Sequence, residues 1–165
     1  MEGGLSTDSH VGRRLAEVES GSLTDIVRVA RATTHGAVEV ELHSIEIRKH
    51  GGFLLTRARR SGTAVVAESS VGGGSAEPDL TLAEPLVAMQ DDVGTLYGVH
   101  LFTADTADSV TWRHRLAFQP SPPRAARHLT VFIHQFGPGS IAGDSFVQGP
   151  WRFSSIRLVG HAEDG

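Results

Sequence analysis

The chain has 165 residues, a length that fits one domain, and its 39% hydrophobic and 21% charged residues are enough to build a core. The net charge of -4 supplies no positive field for a nucleic-acid backbone or an anionic membrane, so no nucleic acid is expected as a partner. With no cysteine, a disulfide scaffold, a thiolate zinc site, an iron–sulfur cluster and a cysteine nucleophile are excluded together.

The N-terminus, Met1 to Asp8, is acidic and glycine-rich, unlike a secretory signal. No run approaches the ~20 apolar residues of a membrane span, the densest being broken at Glu84-Pro85. A soluble, cytoplasmic chain is the expectation. Residues 1–24 read as a flexible arm with a short helix-compatible piece from Val11 to Val18, ended by Ser20-Gly21-Ser22. Residues 25–160 read as one β domain and 161–165 as a tail.

In Ala37 to Arg48 the apolar Val38, Val40 and Leu42 alternate with Glu39, Glu41 and His43, and then Ile45 and Ile47 alternate with Glu46 and Arg48. A period of two cannot change parity without an extra residue, so a bulge or a change of sheet is expected at His43-Ser44. A hairpin turn at His50-Gly51 or Gly51-Gly52 leads into Phe53 to Arg59. Thr63 to Glu68 reads as a weaker strand and Ser69 to Ala76 as a linker-like loop. Leu86 to Met89 and Leu96 to Phe102 flank Asp91-Asp92-Val93-Gly94-Thr95, which reads as a second hairpin turn. A polar loop from Ala104 to Ser109 precedes a strand from Val110 to Phe118, which Pro120 to Pro123 end. Leu129, Val131 and Ile133 face one way and His128, Thr130, Phe132 and His134 the other. Gly137 to Gly149 then connects to a last strand, where a second parity change between Phe153 and Ile156 implies another bulge. Seven to nine strands without a crossover helix imply an all-β, antiparallel sandwich.

Three segments in order, Asp91 to Tyr97, Phe118 to Val131 and Gly149 to Leu158, resemble the immunoglobulin-like β-sandwich in the extracellular parts of Gram-positive anti-sigma-factor-like proteins of poorly defined role. The resemblance covers about Val38 to Leu158, through turns and core aromatics. It implies an immunoglobulin-like fold and supplies no catalytic residues.

Nine histidines raise the question of a metal or acid–base site. His128 and His134 share a face but stand six residues apart, about 20 Å at ~3.3 Å per residue, so they cannot hold one ion by themselves. A metal or hydrolase site is the alternative reading. It needs His43, His100 or His114 to meet one another or an aspartate, with Asp91 and Asp92 as further oxygen donors. Turn chemistry accounts for that aspartate pair more simply. Gly143-Asp144-Ser145-Phe146 resembles a hydrolase nucleophile block but lies in the wrong place, and Gly72 to Gly74 lacks the lysine of a phosphate loop. Arg113 and Arg115 share a strand face and can grip carboxylate or phosphate. His128, Phe132 and His134 would form an aromatic and histidine strip if their parity faces water. The expectation is therefore a non-enzymatic binding module without a cofactor, using Arg113, Arg115, His128, Phe132 and His134. A protein partner or a homodimer is possible through an exposed edge or face.

Overall fold

The parity change between Leu42 and Ile45 is a β-bulge in the computed structural model, which describes residues 3–60, 82–108, 110–137 and 147–158. Strand β2 (Val38–Arg48) pairs antiparallel with β3 (Gly51–Arg60), and the register slips between Leu42 and Ser44. The extra residue, His43, returns the apolar set to one face, so Val38, Val40, Leu42, Ile45 and Ile47 are all buried. The hairpin loop is Lys49-His50, upstream of the expected glycines, because Arg48 already pairs with Gly51. Those glycines belong to the strand. A Cβ at Gly52 would collide with the Glu46 carbonyl oxygen and the Phe118 ring.

Strand β1 (Leu23–His35) flanks β2, and β4 (Pro85–Asp91), β5 (Gly98–Asp108), β6 (Thr111–Gln119), β7 (His128–Phe136) and β8 (Val147–Arg157) complete two sheets. The first sheet has the order β1-β2-β3-β6-β5 and the second β4-β7-β8. Taking β2 to β8 as seven successive strands gives the constant-type immunoglobulin order, four strands over three, with β1 added at one edge. The all-β sandwich expectation is met.

Two local expectations are corrected. Asp91 to Thr95 does not close a hairpin: β4 and β5 lie in different sheets, and only Gln90 and Leu96 form a bridge. The segment is a corner between sheets. The polar run from Ala104 is not a loop either, since β5 continues to Asp108. Its polarity belongs to an exposed face, where Asp105 opposes Arg113.

The segment read as a flexible arm forms helix α1 (Gly3–Ser20), and β1 begins at Leu23, inside the expected arm. Val18 is buried with Phe53 and Ala117 on the outer side of the first sheet, and Leu15 packs beside them. The helix ends where the breakers stand: Gly21 N–H donates to the carbonyls of Glu17 and Val18. The Arg48 guanidinium donates to the carbonyls of Glu19, at 3.2 Å, and Gly21, at 3.1 Å.

Between the sheets, Leu54, Leu116 and Phe118 belong to one buried cluster with Leu129, Val131, Ile133, Trp151 and Phe153. Trp151 Nε1–H donates to the Val38 carbonyl at 2.9 Å, so the buried indole N–H is satisfied. The second parity change is also a bulge. Leu129 pairs with Ile156 and Val131 with Phe153, so Ser154 and Ser155 oppose one residue, Thr130. The expected strand from Thr63, the loop from Ser69, the glycines 72–74, the block Gly143 to Phe146 and the tail 161–165 lie outside the described residues. No described helix is long and apolar enough to cross a membrane.

Candidate functional site

The candidate binding residues divide between opposite outer faces of the sandwich. Arg113 and Arg115 project from β6 on the face that also carries α1. Four adjacent strands there align Glu41, Arg57, Arg113 and Asp105 in one row. Within it Arg57 pairs with Glu41 at 3.0 Å and Arg113 with Asp105 at 3.3 Å. Arg115 lies 3.9 Å above the centre of the Phe53 ring and donates to Glu46 at 3.3 Å. These arginines border a concavity of about 430 Å³ together with His43 and Leu55. Each is already matched by a carboxylate, so the row forms cross-strand ion pairs and leaves little net charge for a ligand.

The alternative metal or acid–base set does not converge. His43 sits at the β2 bulge and His100 near α1, both on the outer face of the first sheet. His114 points the other way, into the core. Its Nε2–H donates to the Leu82 carbonyl at 2.7 Å, which leaves Nδ1 to accept from the Thr56 hydroxyl at 3.4 Å. Burial lowers its pKa to about 4 against a partly offsetting bond to Leu82, so the ring is neutral at pH 7. It also stacks on Trp112 and touches Phe136.

The aspartates hold the corner between β4 and β5. Asp91 Oδ1 accepts the N–H groups of Val93 and Thr95, and Oδ2 accepts the Tyr97 hydroxyl at 2.8 Å. Gly94, with φ of +92°, completes the turn. Asp92 Oδ1 accepts the N–H groups of Arg127 and His128, which fastens the corner to the start of β7. His128 faces outward with Nδ1 at 3.7 Å from Asp92. Among the described residues no three His, Asp or Glu side chains gather as a metal site would require.

Phe132 and His134 lie on the outer face of the second sheet, where the alternation of β7 exposes or half-exposes His128, Thr130, Phe132 and His134 among the described residues. Phe132 is aligned between Ala88 of β4 and Arg152 of β8. Its ring centre lies 4.5 Å from that of His134. Leu96, at 79% the most exposed large hydrophobic residue described, closes one side of a concavity of about 340 Å³ over Ala88, Phe132, His134 and Arg152. Arg152 makes no ion pair among the described residues. Leu96, Ala88 and Arg152 were not singled out from the sequence. Arg152 alternates with the core residues Trp151 and Phe153, which signals an outward position. Leu96 carries no such signal, because the corner, not a strand period, directs it.

The class so defined is an immunoglobulin-like sandwich whose first sheet carries α1 on its outer face. No protein-family model matches the chain, and no curated protein matches it. Among solved structures it is similar to one described as the conserved domain protein from Bacillus anthracis, at 11% identity and a TM-score of 0.51. The match covers 79% of this chain and 49% of that one, so the chain spans about half the length of the protein it resembles. At that identity the likeness concerns the fold.

Proposed function

We propose that the protein is a non-enzymatic binding module that receives a protein partner on the outer face of β4, β7 and β8. The supporting observation is the concavity around Phe132, where apolar Leu96 and Ala88 adjoin an Arg152 that has no carboxylate partner among the described residues. Large aromatic and arginine side chains in a desolvating pocket are the groups that carry most binding energy in protein interfaces. The matching partner presents a bulky apolar side chain next to a carboxylate. On the other outer face α1 packs Val18 against Phe53, and Arg57, Arg113 and Arg115 are paired with carboxylates.

Selection of a random displayed peptide library on the immobilised protein tests the reading. Enriched peptides should carry a large apolar residue beside aspartate or glutamate, and enrichment should vanish against Leu96→Asp. Enrichment that survives Leu96→Asp, or none at all, would remove this face from consideration. A stable dimer dissociated by Leu96→Asp would mean that a second copy occupies it and would replace the separate partner.

A further inference from the structure

We propose that the cleft between the edge strands β1 and β8 is a docking site for an acidic, extended peptide segment. The site is separate from the face around Phe132 and does not depend on it.

The first argument is charge. Arg28, Arg31 and Arg157 line one cleft of about 480 Å³ with Val29 and Ile156. Asp25 is the single acidic residue among the lining side chains, and its Oδ1 accepts the N–H of Ile26. Neither Arg28 nor Arg157 pairs with a carboxylate among the described residues, and Arg31 donates to carbonyl oxygens of Ser154 and Ser155. Several other sheet arginines are matched: Arg57 has Glu41, Arg113 has Asp105, and Arg48 and Arg115 share Glu46. A local excess of positive charge thus stands in a chain whose formal charge is -4. Guanidinium groups match carboxylates by paired hydrogen bonds, so carboxylates are the complementary ligand groups.

The second argument is backbone. Among the described residues β1 pairs only with β2 and β8 only with β7, so each turns an edge without a described partner strand toward the cleft. The two strands belong to different sheets, and each carries a bulge near the contact that Arg31 makes. The register of β1 slips between Arg28 and Arg31 and that of β8 around Ser154 and Ser155. Ala30, with φ of 50°, and Ser155, with φ of 56°, are the two described non-glycine residues in left-handed conformation, and Arg31 spans from one bulge to the other. Such outliers persist where the surroundings over-determine them. An unpaired edge can accept an added strand through its free amide and carbonyl groups. The lining stretch from Asp25 to Arg31 is about 20 Å long at ~3.3 Å per residue, which suits a peptide of about six residues.

Fluorescence anisotropy with a labelled hexapeptide of alternating glutamate and valine tests this directly. The peptide should bind, and Arg28→Glu with Arg157→Glu should weaken it by about tenfold or more. The lysine and valine counterpart should not bind, and Leu96→Asp should leave binding unchanged. Both arginines are exposed, and a retained melting temperature in the double variant confirms that the fold is intact. Failure to bind at millimolar peptide, or binding indifferent to the charge reversals, overturns the proposal. Inorganic phosphate displacing the peptide at equal concentration would reduce the cleft to a simple anion site. Reversed variants that aggregate while binding the peptide normally would assign the arginines to edge protection alone.

Discussion

The Tyr97 hydroxyl donates to Asp91 Oδ2 at 2.8 Å, while Oδ1 of the same carboxylate takes the N–H groups of Val93 and Thr95. One buried side chain therefore closes the corner by which the chain passes from one sheet to the other. Burial acts to raise the Asp91 pKa, but the bonds from Thr95, Tyr97 and Val93 together outweigh it and hold the carboxyl below its ordinary range. Burial, and then the bond to Asp91, push the tyrosine hydroxyl upward. Replacing Tyr97 by Phe removes one charge-assisted bond and leaves the ring in place. Urea unfolding should show a loss of about 1.5–3 kcal/mol. A variant as stable as the parent would mean that the corner is held by its backbone alone.

His114 makes the protein acid-sensitive in a defined window. The unfolded chain takes up the proton near pH 6.5 and the folded chain only near pH 4, so the unfolded state binds more protons between these values. Stability is therefore complete above pH 6.5, falls as pH drops toward 4 and changes little below that from this group. The full effect is up to about 3 kcal/mol. Replacing His114 by Gln, which keeps a donor for the Leu82 carbonyl, should flatten the melting-temperature profile between pH 6.5 and 4. An unchanged slope would place the acid sensitivity elsewhere.

The strand pattern was legible because apolar alternation reports burial directly. Two parity changes, at His43 and between Phe153 and Ile156, foretold the bulges at those places, while other register shifts, such as that of β1 between Arg28 and Arg31, left no such mark. What escaped the sequence was tertiary. The sheet to which β4 and β5 each belong is decided by the corner at Asp91, and a two-residue apolar face, Leu15 and Val18, is too small to announce a docked helix. The candidate site was half visible. Phe132 and His134 followed from parity, but Arg113 and Arg115 were equally prominent, and only the pairing of strands shows that Asp105 and Glu46 already satisfy them.

The docking of α1 rests on Val18, which is 1% exposed against Phe53 and Ala117. Changing Val18 to Asp places a charge against that apolar patch and removes about 1.5–3 kcal/mol of burial. Amide exchange over residues 12–20 should accelerate strongly while β2 and β6 keep their protection. Equal acceleration throughout the sandwich would show that helix and sheets unfold as one unit.

Gly52 tests the close packing of β3 against Phe118. Since a Cβ there meets the Glu46 carbonyl and the Phe118 ring, Gly52→Ala should cost about 1–3 kcal/mol or more through displaced core groups. Gly36, beside which a Cβ meets nothing within 4 Å, provides the contrast, although its φ of 63° adds a smaller strain. Thermal unfolding of both alanine variants should rank Gly52 as the more damaging; the reverse order would contradict the packing.

The central claim is that the outer face of β4, β7 and β8 is where the partner binds. The most direct measurement is the map of backbone amide shifts when a library-selected peptide is titrated into the labelled protein. The account predicts that the perturbed residues cluster around Ala88, Leu96, Phe132, His134 and Arg152, with the face beneath α1 unaffected. A cluster around Arg113 and Arg115, or perturbations scattered over both faces, would contradict it.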